Sequence, residues 1–202
     1  MRQRWVILWG MAGLLACVSA DAHIVTMRLG DFFMGALHPM TDPIDWLVWL
    51  ACALLAARAG RLTARWLIVI VPIALALGLL LLNPLLTGRL SGVLDAVPLL
   101  AAGLLLAAGM RLRTGGVFVA VSILMVLRGA ANAAGLRIGA DLGLYAAGLA
   151  GAGYVAVTVL SAAVVIGVVD EAAPAWRKIA VRVLGSWLAA AGLMLIALSL
   201  RG

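Results

Sequence analysis

The sequence predicts an all-α integral membrane protein, with six transmembrane helices after an N-terminal signal peptide. Three observations carry this. First, 66% of the 202 residues are hydrophobic and only 11% are charged, with a mean hydropathy of +1.19. Soluble domains are about half apolar and about a quarter charged, so this chain holds more apolar surface than a soluble fold buries. Second, the apolar residues gather in runs near the length a bilayer requires, about 20 residues. Third, the basic residues, which give a formal net charge of +7, fall mostly in the short gaps between these runs. That placement marks cytoplasmic loops rather than a nucleic-acid surface.

The N-terminus reads "MRQRWVILWGMAGLLACVSADAH". Arg2 and Arg4 form a basic start, Trp5 to Val18 an apolar run too short for a comfortable span, and Ala20-Asp21-Ala22 a small-x-small cleavage pattern. The chain therefore divides into a signal peptide, 1–22, and a six-helix transmembrane domain, 23–202. Cleavage after Ala22 makes His23 the mature N-terminus, on the outer face. Two alternatives stay open. Leu14-Leu15-Ala16-Cys17 loosely resembles a lipoprotein signal, and an uncleaved signal anchor leaves His23 on the same side. Cys17 and Cys52 both lie in apolar stretches and give no ligand spacing; they read as buried small hydrophobes.

Six runs follow: Pro43–Ala57, Trp66–Leu86, Val93–Met110, Gly115–Gly135, Leu142–Val169 and Val183–Leu200. The first reaches span length only by drawing in Phe32–Met40 as a broken or re-entrant helix. Orientation follows from the loop charges. The odd-numbered gaps carry Arg58, Arg61, Arg65, Arg111, Arg113, Arg177, Lys178 and Arg182, and the even-numbered gaps only Arg89 and Arg137. Odd gaps are thus cytoplasmic, and both mature termini face the periplasm of a bacterial inner membrane. Gly143, Ala147 and Gly151 lie four apart, as do Gly185 and Ala189, a spacing that lets helix backbones approach closely.

The acidic residues sort by side. Asp31, Asp42, Asp45, Asp95 and Asp141 fall at the outer face, and the last four stand at the starts of inward-running spans. They suit two roles: caps on helix N-termini, or an acidic mouth that collects cations. Asp42, Pro43 and Asp45 fit an N-cap, a first helical position and a third. Capping leaves His38, and its pairing with His23, unaccounted for. Met27, Met34 and Met40 lie in the same segment, and thioethers favour Cu(I), although packing is their commoner use. Arg128 falls past the middle of the fourth run, where a charge snorkels or pairs within the bundle; Asp95 or Asp141 is the expected partner.

The cleavable signal ending in Ala22-His23, the pattern Phe32-x-x-Gly35-x-x-His38-Pro39, an Asp shortly after and six spans together resemble the HupE/UreJ family. "LYAAGLAGAGYVAVTVL" (Leu144–Leu160) and "RVLGSWLAAAGLMLIAL" (Arg182–Leu198) resemble its fifth and last helices. The resemblance implies an accessory membrane protein of hydrogenase or urease systems, a nickel or cobalt permease and not an enzyme. It implies a metal site of His23, His38, Asp42 and Asp45, with Asp95, Arg128, Asn132 and Asp141 as further pathway residues. The family's second motif histidine is replaced here by Asp45 or Trp46, and Asn132 stands where its fourth span carries His and Glu. No cofactor is held permanently; the cargo is Ni²⁺ or Co²⁺, with copper as the alternative. The implied partners are the lipid bilayer, the metal ion, and a second copy of the chain or an accessory protein. A scaffold that has lost its metal ligands is the competing function.

Overall fold

Seven α-helices and one short 3-10 turn account for most of the residues described by the computed structural model, which are 22–82, 91–110, 112–168 and 175–201. The predicted signal segment up to Asp21, with Cys17, lies outside the described residues. The helices are α1 (Ala22–Thr41), α2 (Pro43–Ala59), α3 (Arg61–Leu82), α4 (Ser91–Ala107), α5 (Thr114–Ala131), α6 (Leu142–Val168) and α7 (Ala175–Ser199), with the 3-10 turn Asn132–Gly135 closing α5.

The first apolar run and the segment before it form two helices rather than one. α1 and α2 meet at Asp42 with a bend of 75°. The local chemistry explains the break. Asp42 has extended φ/ψ of −91° and 111°, and its Oδ1 accepts from the Ile44 N–H at 2.8 Å. Pro43 then occupies the first helical position, where its missing N–H costs nothing. At the other end of α2, Gly60 adopts φ +123° and donates its N–H to the Ala56 and Ala57 carbonyls. A residue with a Cβ is strained at that φ, so Gly60 turns the chain into α3 within one residue.

α2 is the central helix. It touches all six of the others, and Val48, Trp49 and Ala51–Ala57 are all buried. A helix apolar all round belongs inside a bundle, and α2 is one. Cys52 is among these buried residues, as a small hydrophobe in the core. Large apolar side chains instead point outward: Leu62, Val69, Ile73 and Leu77 on α3, Val155 and Val159 on α6, Ile179 and Trp187 on α7. That is the distribution expected of a protein solvated by lipid.

Among the described residues, four helices are long and apolar enough to cross a membrane, or five if the bent α1–α2 pair is one span. α4 is a shorter apolar helix. The sixth crossing expected from the sequence would be α4. α7 starts at Ala175, ahead of the expected Val183, because the stretch containing Arg177, Lys178 and Arg182 is itself helical.

Three helix pairs pack at glycine. α1 crosses α6 where Gly35 meets Tyr145 and Gly148 meets Phe32. α3 crosses α5 at Gly78 and Gly129, and α4 crosses α7 at Gly103, Gly185 and Gly192. At each, an added Cβ would overlap the partner's backbone. Gly185 and Ala189 lie at such a contact, as their spacing suggests. Gly143, Ala147 and Gly151 do not: all three are exposed, and the interface lies one residue along, at Gly148 and Ala152.

At one end of the bundle two arginines cap the C-terminus of a neighbouring helix. Arg58 Nη1 and Arg182 Nε donate to the Leu106 and Ala107 carbonyls at the C-terminus of α4, where cations oppose the negative end of the helix dipole. Thr63 and Thr114 share a hydrogen bond at the same end, 3.2 Å long. The aspartates gather at the other end.

Candidate functional site

The acidic end is organised by one side chain. Arg128, in the last turn of α5, is 1% exposed. Its Nε donates to Asp45 Oδ1 at 2.9 Å, its Nη1 to Asp95 Oδ1 at 2.8 Å and its Nη2 to Asp42 Oδ2 at 2.9 Å. Each of the three nitrogens of the guanidinium thus holds a different carboxylate. The planar fork of arginine supports this in a way a lysine ammonium would not. The carboxylates come from the start of α2 and from α4, so the cluster ties α2, α4 and α5 together.

Asp45 is 0% exposed because it lies on the central helix. It is held further by the Asn132 side-chain amide, whose Nδ2 is 3.2 Å from each of its oxygens. That same nitrogen is 2.9 Å from the Arg128 carbonyl. Asn132 Oδ1 is buried without a hydrogen-bond partner among the described residues. Tyr145 Oη, on α6, donates to the Asn132 carbonyl at 2.9 Å and so braces the 3-10 turn. His38 lies beside this brace: a side chain at Gly135 would overlap both the His38 ring and the Tyr145 hydroxyl. Tyr145→Phe is expected to lower stability by about 0.5–1.5 kcal/mol, the net worth of one hydrogen bond, since the carbonyl keeps its bond within the 3-10 turn. Thermal unfolding of the purified protein checks it.

The expected residues therefore separate into three places. Asp42, Asp45, Asp95, Arg128 and Asn132 form one connected cluster, with His38 at its edge. Asp95, rather than Asp141, is the partner of Arg128, and Asp42 and Asp45 join it. Asp141 stands apart at the start of α6, where its Oδ1 accepts from the Leu144 N–H and its own N–H donates to Asp31. Here the side chain caps the helix. His23 is fifteen positions before His38 on the same continuous helix, about 22 Å along its axis at 1.5 Å per residue. Met34 and Met40 pack against the core, the ordinary role of methionine; the side chain of Met27 lies outside what is described.

Asp42 caps a helix, as the sequence suggests, and also pairs with Arg128. One oxygen caps α2 and the other binds Arg128. Asp95 is not a cap, since it lies one turn inside α4. Asp42 and Asp95 remain accessible, at 24% and 40% side-chain exposure. Three carboxylates around one guanidinium leave two formal negative charges at this lip.

The pattern of the family described as HupE / UreJ protein matches residues 11–195. The chain belongs to the HupE/UreJ family. No curated protein and no solved structure matches it. HupE/UreJ membership points to a membrane accessory or transport role in metal handling, which agrees with the apolar helices. The match runs through the bent α1–α2 pair, the Arg128 cluster and most of α7, so the site is part of this member's HupE/UreJ domain.

Proposed function

We propose that this HupE/UreJ protein carries a divalent transition metal, nickel or cobalt, inward across the bacterial inner membrane, and that the Arg128 cluster is its periplasmic mouth. The observation that carries this is the charge imbalance at Asp42, Asp45 and Asp95 around Arg128. Two uncompensated negative charges, partly open to the outside, attract a dication. Asp42 and Asp95 are the reachable donors, and His38 adds an imidazole. Asn132 contributes a buried amide oxygen that has no hydrogen-bond partner among the described residues. Oxygen and imidazole donors suit Ni(II), Co(II) or Zn(II) better than Cu(I). Asp45 stays on Arg128 as the fixed element while Asp42 and Asp95 exchange. In this reading α4 also crosses, giving six spans, with both mature termini in the periplasm and a cleaved signal before His23.

A scaffold or assembly role is favoured by a different observation. Among the described residues, no group of three or more His, Cys, Asp or Glu side chains stands around one metal position, and each carboxylate of the cluster is already bonded to Arg128.

Metal accumulation separates the two. Cells expressing the wild type, His38→Ala, Asp42→Asn or Asp95→Asn at matched membrane levels would be compared for Ni, Co, Cu and Zn by elemental analysis. The asparagine variants keep an oxygen for Arg128 and remove charge at accessible positions, so folding is spared. Transport predicts that one metal rises with the wild type and falls about tenfold in Asp42→Asn and Asp95→Asn. No rise in any metal, or variants equal to wild type, would establish the scaffold instead.

A further inference from the structure

We propose that a groove between α3 and α6, at the arginine-bearing end of the bundle, binds the phosphate headgroup of an anionic phospholipid. The groove measures about 880 Å³, and Arg61, Arg65, Ile68, Thr158 and Ser161 line it. Arg61 and Arg65 are four apart, so both present to one helix face. Both are exposed, and neither makes an ion pair among the described residues. α3 begins at Arg61, which sets the positive end of its dipole at the same place.

Ser161 is the independent observation. It is 4% exposed, and its hydroxyl has no hydrogen-bond partner among the described residues. A helical serine or threonine commonly bonds back to the carbonyl four residues earlier. Thr158, in the same wall, does so to Tyr154 at 2.7 Å. Ser161 does not, and its hydroxyl remains for an occupant of the groove.

A lipid is favoured over a free anion by what surrounds the opening. Leu62 also lines the groove, and Trp66, Val69 and Ile73 continue an exposed apolar ridge along α3 from it. A phosphate held by Arg61 and Arg65 would let its acyl chains lie on that ridge. Trp66 at this depth suits the membrane interface. Basic pockets between spans on the cytoplasmic side are a known form of lipid recognition. This site is at the opposite end from Arg128 and stands whether or not the protein carries metal.

The test uses the full chain, purified in mild detergent and stripped of lipid. It would be titrated with phosphatidylglycerol, phosphatidylcholine or inorganic phosphate. Bound lipid is counted by native mass spectrometry, and the unfolding midpoint is followed in parallel. Phosphatidylglycerol should bind and raise the midpoint, while phosphatidylcholine and inorganic phosphate do neither. Each arginine near an anionic surface contributes about fivefold in affinity, so Arg61→Gln/Arg65→Gln should bind about thirtyfold more weakly. Arg113→Gln removes a charge near the start of α5, outside the groove, and should bind as wild type. Ser161→Val should weaken binding without a change of charge. It decides the question if the double variant does not fold. Equal binding of phosphatidylcholine, displacement by inorganic phosphate, or unchanged affinity in Ser161→Val or the double variant overturns the proposal.

Discussion

Arg128→Met should unfold far more easily than the wild type, by about 3–5 kcal/mol, the range found when one partner of a buried ion pair is removed. In a chain of this size that is a fall of roughly 10 °C in the unfolding midpoint. The loss comes less from the missing attraction than from Asp45, which stays fully buried with only the Asn132 amide beside it. Two consequences make the claim specific. Asp45→Asn alone should cost less, because Arg128 keeps Asp42 and Asp95 as counter-charges. Adding Asp45→Asn to Arg128→Met should recover stability, because it removes the orphaned charge. Thermal unfolding in detergent, scored by the fraction surviving size-exclusion chromatography, reads all three. An Arg128→Met protein as stable as wild type would remove the cluster from the account of the fold, and with it the fixed frame assumed for the metal mouth.

Much of this site was legible in the sequence, and the part that was not has a physical reason. Asp42, Pro43 and Asp45 announce a helix start by local chemistry, and the structure has that start. The gathering of aspartates on one side follows from loop charges and run lengths. A buried arginine needs a partner, and Asp95 at a neighbouring span is a reasonable one. What one-dimensional reasoning misses is that Asp42 and Asp45 converge on the same guanidinium, 86 and 83 positions away. That convergence brings together side chains from α2 and α5 that lie far apart in the chain, which only the packing of the helices supplies. Capping does not exhaust a side chain. A carboxylate has two oxygens, and Asp42 divides them. His23 and His38 read as a pair from the sequence because both fall near the outer side; in the structure they stand fifteen positions apart on one helix, α1.

The second large effect concerns helix faces. Gly148→Val should disrupt the protein, by about 3 kcal/mol or more, while Gly151→Val should leave stability within about 0.5 kcal/mol of wild type. Both substitutions add the same atoms to the same helix, so intrinsic helix preference cancels between them. At Gly148 a Cβ alone would overlap the Phe32 carbonyl and crowd the Ala36 nitrogen of α1. Backbone cannot give way as a flexible side chain can, so α1 and α6 would have to part. At Gly151 the added atoms meet open space, which in the membrane is lipid. The spacing of Gly143, Ala147 and Gly151 suggests a contact face, yet small residues are so frequent here that the adjacent stripe through Gly148 and Ala152 is as regular. Only the packing distinguishes them. Parting α1, which carries His38, from α6 would also shift His38 away from Gly135, so Gly148→Val should lose any metal accumulation along with its thermal stability, and Gly151→Val should keep both. A tolerant Gly148 with a sensitive Gly151 would mean that α6 presents its other face to α1, and the seating of His38 beside the Arg128 cluster would have to be redrawn.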